Sequence, residues 1–482
     1  FLLRYHKTSE GFMVTETSTD LALIAHLMRR AGFGATLSEI ETLSKKPYEV
    51  IVDDLLDTSE TEWMGEHMVR RFDTEASGMI NPPGSQRRWI YRLISSNSPL
   101  EEKMTLFWHT IFPAGRDKVI NGRVLSDQID TFRGFALDKF DDVLLQLAKD
   151  PAMLVWLDNQ DNHKKSINEN WGRELLELFS MGVGNYTEDD IKECSRAFTG
   201  WSIGNTDYMI TRALRDSDWP YGRIAYHYEF KDDDNDKDNK KFLGHEGPLS
   251  GEDIIEIICS KESTARFIAR HMYHSFVEDE VGVPSWNDIP PKNPEAIQIL
   301  VDAYFKYNHD IKEMMRVLFN SDFFKSPDVR YARIKSPVEL AIGLLRLSKE
   351  FSIPNRDMII KNRQVQYMGQ QLNEPPSVEG WHEGEEWVDT GTLIERINFA
   401  SEQLGDIEHD GIKDLVSKIH ETISSSDSEE LVQACASHMG LIELSTTTKE
   451  TLKELADTLE DSPSKIPAML RMIGASREYQ RA

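Results

Sequence analysis

The stretch NENWGRELLELFSMGVGNYTEDDIKECSRAFTGW, Asn168 to Trp201, decides the reading of this chain, because hydrophobic spacing and helix punctuation agree along all of it. Ser166 and Glu169 stand at capping-box spacing, so a helix is predicted to begin near Ile167, with that hydroxyl and carboxylate satisfying its first free N–H groups. Gly182 and Gly184 end it, since glycine takes the left-handed conformation of a helix C-terminus at no steric cost. At about 100° per residue, Trp171, Leu175, Leu176, Leu178 and Phe179 fill one sector, while Asn170, Arg173, Glu174 and Glu177 gather on another. The leucine side faces a core, and the polar stripe faces water or a cleft. Thr187 and Asp190 repeat the capping arrangement, Ile191, Cys194 and Phe198 form an apolar stripe, and Gly200 closes a second helix before Trp201.

The same punctuation extends outward. Asp20 precedes LALIAHLMRRAG, Thr36 and Glu39 form a capping box, Pro47 opens YEVIVDDLLD, Pro99 opens LEEKMTLFWHTIF, and Asp150–Pro151 starts a short helix. Later helices are predicted over 252–260, 263–277, 294–306, 310–319, 337–350, 391–404, 410–424, 428–438, 447–459 and 464–473. Alternating β-branched runs are confined to short stretches at Trp201–Ile203 and Ile224–Phe230. The expected class is mainly α: a large multi-helix body over 15–400 with few short strands, and a smaller C-terminal helical subdomain, 401–482, packed on it. Serine and acidic residues from Ser424 to Glu430 suggest a flexible link inside that subdomain.

With 482 residues the chain has the length of about two to four domains. Its 82 acidic against 55 basic residues, net −27, argue against nucleic acid or an anionic membrane as partner, which require clustered Lys and Arg. The three cysteines, Cys194, Cys259 and Cys435, fit no zinc spacing and are expected as buried thiols. Charged residues interrupt every apolar run, so no integral membrane segment is expected. The chain starts at Phe1 rather than Met, which fits a leader removed or lying outside this numbering.

RELLELFSMGVGNYTEDDIKECSRAFTGW resembles the signature of the bacterial domain-of-unknown-function family numbered 1800. Further pieces of the resemblance are LMRRAGFGAT (27–36), EKMTLFWHTIF (102–112), AKDPAMLVWLDN (148–159), KFLG (241–244), STARFIARHMY (263–273), IKSPVEL (334–340), EPPSVEGW (374–381) and SREYQRA (476–482), so it covers nearly the whole chain. The resemblance implies a mainly helical fold, a periplasmic or extracellular location, and a sulfatase-like partner of the family numbered 1501; it implies no settled activity. Ahead of KFLG the chain departs from the family pattern, which carries a His-Asp pair and a glycine there. That departure puts in doubt any activity resting on the pair.

The polar stripe Asn170, Arg173, Glu174 and Glu177, with Asp158, Asn159 and Asn168 upstream, is the leading chemical candidate: carboxylates beside an amide and a guanidinium perform acid–base work, hold a metal or clamp a sugar. Its bland counterpart is a solvated face of i, i+4 pairs. Asn168 projects toward the leucine sector and needs a partner there, or fixes the helix start. His109 lies opposite Leu100 on its helix, either exposed or facing a second layer, and joins the catalytic candidates. His271 and His274, at i, i+3, are candidate metal ligands, against ordinary core or surface histidines. Asp234, Asp236 and Asp238 alternate as calcium ligands do, without the glycine and glutamate of a calcium loop, so calcium or another divalent cation competes with a solvated charge run. Trp381 and Trp387 are candidates for stacking on a sugar, against the reading of core caps. Glu379 and His382 have Glu-x-x-His spacing but sit in a Pro- and Gly-bounded loop.

Two functions remain open from these residues. One is an exported hydrolase or modifying enzyme acting on a glycan, with Glu174 as acid or base, Arg173 holding an anion or orienting that carboxylate, and Asn170 positioning substrate. The other is a non-catalytic envelope or extracellular scaffold, or binding partner of the sulfatase-like protein, in which the motif is an internal brace. A ligand-sized pocket lined by the motif favours the first, and buried Arg–carboxylate ladders favour the second.

Overall fold

Side-chain caps start most of the helices, at or within a residue of where their sequence signals stand. A computed structural model of the protein describes residues 20–78, 82–119, 121–204, 226–423, 427–459 and 462–482. Asp20 accepts from Ala22 N–H to open Leu21–Arg30, and Thr36–Glu39, Thr187–Asp190 and Ser336–Glu339 close reciprocal capping boxes. Pro294–Lys306 and Ser428–His438 have the predicted bounds, and the other later helices end within two residues of theirs. The class is mainly α. Among the described residues the strands form two antiparallel pairs, Trp201–Gly204 with His227–Phe230 and Lys240–Phe242 with His245–Gly247. Residues 224–225 of the expected strand, and 424–426 of the expected link, lie outside the described residues.

One helix start differs from expectation. Ser166 does not cap: its N–H and carbonyl pair with His163 in an isolated bridge, and the helix begins at Asn170. The tight backbone pair uses Ser166 to reverse the chain. Asn168 takes over, its side-chain oxygen accepting from Asn170 N–H at 3.0 Å. Helices Glu66–Phe72, Pro82–Ser95, Phe140–Ala148 and Met358–Tyr367 went unpredicted, and Glu66–Phe72, Phe140–Ala148 and Met358–Tyr367 start without a side-chain cap bond.

One apolar cluster runs from Ile24 to Tyr479 and takes in helices from both ends of the chain. Trp108 anchors its middle, stacked on Phe112 and Phe140 with its indole N–H on the Ala136 carbonyl. The boundary expected at 400/401 falls inside helix Thr390–Gly405, which packs on Pro337–Ser348 and on Lys465–Gly474. A methyl group on Gly474 would lie 2.4 Å from Leu404 Cδ1, so the two helices meet at close quarters. The C-terminal helices therefore share the core of the body rather than enclosing their own. No helix among the described residues is long and apolar enough to cross a membrane, and all three cysteines are buried.

Candidate functional site

Helix Asn170–Glu177 is pinned on its apolar side. Trp171, Leu175 and Leu176 are buried, with Trp171 edge-on to Phe198 of the next helix turn. Gly172 permits the approach of helix Glu188–Ala197: a Cβ there would sit 2.2 Å from Ser195 Oγ. The polar residues upstream form a brace. Asn159 donates to the carbonyls of Phe198 and Trp201, Asn162 donates to Asn159 Oδ1 and Ser195 O, and Asn162 Oδ1 accepts from Asn168 N–H. Asn170 donates to the Leu157 carbonyl. These amides replace a regular ladder in the loop between the helices, satisfying backbone groups that would otherwise be buried bare.

The other polar residues of the stripe sort differently. Arg173 is turned outward into a two-pronged pair with exposed Glu188, at 3.1 and 2.8 Å. Asp158, in left-handed backbone conformation, pairs with Lys118 at 2.5 Å. Glu177 accepts from Tyr186 Oη at 3.1 Å. Glu174, one helical turn before Glu177, has no ion pair among the described residues. Partial burial, with Glu177 and Glu379 nearby and Arg173 only partly offsetting them, pushes its carboxyl up to about 7. Arg173 opposes that rise while its guanidinium pairs with Glu188. The structure thus brings together Glu174, Glu177, Tyr186 and Glu379 in a half-exposed patch.

Tyr186 was not singled out from the sequence, and Glu379 was considered only as half of a Glu-x-x-His pair with His382. Glu379 arrives from far along the chain because the 374–381 loop folds over the end of helix Pro99–Ile111: a Cβ on Gly380 would touch the Thr110 carbonyl at 2.6 Å, and Arg116 pairs with Glu374. The paired prolines marked a rigid loop; nothing local marked where it lands.

His109 is fully buried between Trp89 and Trp381, ring centroids 5.1 and 5.2 Å away. Its Nε2 accepts from Asn373 N–H, so the neutral ring carries its proton on Nδ1, which has no partner; burial lowers its pKa to about 3. It holds the 373 loop rather than opening to solvent. Trp381 and Trp387 are 7% and 3% exposed and pack with Ile334, so they act as core caps and present no open face for a sugar. Trp156, partly exposed, meets Pro375 across Gly115.

The metal candidates are engaged elsewhere. His271 packs between Phe267 and Trp286, while His274 accepts from Glu280 N–H on Nδ1 and bonds Glu383 through Nε2. Burial would raise the Glu383 carboxyl, but that bond and Arg333 bring it below its usual range. Asp234 bonds His163, Asp236 takes a two-pronged pair from Arg196, and Asp238 is exposed. No group of three or more His, Cys, Asp or Glu residues that could hold a metal occurs among the described residues.

With this geometry in place, the comparison with known proteins decides the family. The model of a family described as a protein of unknown function (DUF1800) matches residues 26–481. The chain belongs to the DUF1800 family. No curated protein and no solved structure matches it. The DUF1800 match takes in both segments that build the patch, the helix carrying Glu174 and the loop carrying Glu379.

Proposed function

We propose that this DUF1800 protein is an enzyme that hydrolyses or modifies a glycan outside the cytoplasm, with Glu174 as its general acid. The reading is carried by a partly exposed carboxyl that burial and the neighbouring acids push up to about 7, one turn from a second acid bonded by a tyrosine. Unequal carboxyl pairs of this kind divide the acid and base roles in glycoside chemistry. Glu174 donates its proton to a leaving oxygen, and Glu177 is held beside it by the Tyr186 hydroxyl.

The test is release of reducing ends from a panel of bacterial, algal and plant polysaccharides. Activity in the wild type that falls by about 100-fold or more in Glu174→Gln supports the assignment. A variant as fast as wild type sinks it. A scaffold or partner of a sulfatase-like protein is the second reading, favoured by the brace, in which Asn159, Asn168 and Asn170 are spent on the protein's own backbone. It predicts no turnover on any polysaccharide, and co-purification with the sulfatase-like protein that survives Glu174→Gln.

A further inference from the structure

A cavity of about 770 Å³ opens between helices Leu21–Arg30 and Leu37–Leu43 on one side and Pro337–Ser348, Asp410–Thr422 and Ser428–His438 on the other. None of these elements carries Glu174, Glu177 or Glu379. A second cavity of about 490 Å³ shares Met28, Leu43, Leu55, Asn97 and Pro99 with it, so the space continues along the first helix. Three of the segments that carry the family resemblance, 27–36, 334–340 and 476–482, contribute to its wall.

The wall gathers Arg29, Lys335, Arg346, Lys349 and Lys418 against the two acids Glu39 and Asp414. Arg29 donates to the Gly440 carbonyl and lies 4.4 Å over the Tyr331 ring, with its buried Nε unpartnered. Lys335 donates to the Tyr479 carbonyl at 2.6 Å, and Arg346 donates to the carbonyls of Leu93 and Ser96. Among the described residues none of the three pairs with a carboxylate. Of the acids in the same wall, Glu39 caps its own helix through Thr36 and acts on Arg346 only at a distance, and Asp414 takes Lys418 and Lys349 at the rim. Immediately behind, Arg30 and Arg396 also bond only to carbonyl and amide oxygens, and each keeps an unpartnered guanidinium nitrogen.

An unpaired buried cation costs several kcal/mol unless an anion is supplied. Here several share one region, and among the described residues the three that line the space have no direct ion pair, only the more distant carboxylates of Glu339, Glu443, Glu39 and Glu102. Burial, reinforced by Arg29 and opposed by Glu339, pushes the Lys335 amine well below the usual lysine value, and burial likewise lowers Arg29 and Arg346. The remaining wall mixes polar and apolar residues, and Phe33, Leu347 and Leu415 supply apolar surface within it.

We propose that this cavity binds an amphiphilic organic anion, its carboxylate or phosphate head held by Arg29, Lys335 and Arg346 and its apolar body lying against Phe33, Leu347 and Leu415. The head supplies the missing counter-charge, and the body fills space that a free inorganic ion leaves empty.

Titration calorimetry on the full chain with four probes tests this: decanoate, decyl phosphate, decanol and inorganic phosphate. The expected result is that decanoate or decyl phosphate binds at least about tenfold more tightly than decanol and than inorganic phosphate. Lys335→Met and Arg29→Met each weaken that binding by about tenfold or more, whereas Lys335→Arg and Glu174→Gln retain it. Decanol binding as well as decanoate removes the role of the cations. Inorganic phosphate binding as well as decyl phosphate removes the apolar body, and no binding by any probe overturns the site. The four-probe comparison stands on the wild type alone, so it decides the matter even where a methionine variant does not fold.

Discussion

Replacing Glu174 with glutamine is expected to stabilise the protein above neutral pH and to leave it unchanged in acid. The Glu174 carboxyl sits at about 7 against an ordinary 4.5. Between those values the folded protein keeps a proton that the unfolded chain has released, so stability falls as pH rises through that window and stays reduced above it. At about 1.4 kcal/mol per pH unit the full effect is about 3.4 kcal/mol; water reaching the half-exposed group reduces it to about 1.5 kcal/mol. Glutamine reproduces the neutral form at every pH. Urea unfolding at about pH 4 should therefore give matching midpoints for the two proteins, while at about pH 8 the variant should be more stable by about 1.5 kcal/mol. Glu177→Gln removes one of the repelling charges and should recover part of the same gain. A Glu174→Gln protein that is destabilised at pH 8, or stabilised equally at both pH values, would falsify the account of a carboxyl held protonated by partial burial and by its acidic neighbours. Joined to a loss of turnover, the gain would mark the trade of stability for function expected at a strained active site.

Three further outcomes follow from the geometry. Gly172→Ala places a methyl group 2.2 Å from Ser195 Oγ and should cost about 1–3 kcal/mol; Ser195→Ala in the same chain should restore part of it, and thermal melts of the single and double variants check the coupling. Glu339→Gln leaves Arg333 and Lys103 without their buried partner and should cost about 3–5 kcal/mol near neutral pH. Burial would raise the Glu339 carboxyl, but those two cations hold it far below the usual range, so its contribution is present above about pH 4.5 and fades as pH falls below it; a deficit that grows in acid contradicts this. His109 should remain a neutral ring protonated on Nδ1 at about pH 5, read from its nitrogen chemical shifts; an imidazolium signal there would place it in contact with water.

Much of the fold was legible because capping and punctuation are local. Asp20, Thr36, Thr187 and Ser336 each bond a backbone N–H two or three residues away, so their signals survive without any tertiary context. Ser166 had the same spacing and failed, because a backbone pair with His163 claimed it first. The site was legible only in part. Helical periodicity put Glu174 and Glu177 on one face, but it was equally satisfied by a solvated surface.

What the sequence alone determined is therefore the class of the protein, most of the helix starts marked by a cap, its acidity, and its membership of the family through motifs spread from one end to the other. Tertiary structure decided which charges meet. Glu379 reaches Glu174 across some 200 residues, Glu383 takes His274, and Arg29 shares a cavity with Lys335, each by loop placement and close helix packing that no local pattern encodes. The physical reason is range. A cap is satisfied within one turn of chain, whereas the protonation of a carboxyl or the need of a buried cation for an anion depends on groups brought within a few ångströms by the whole core.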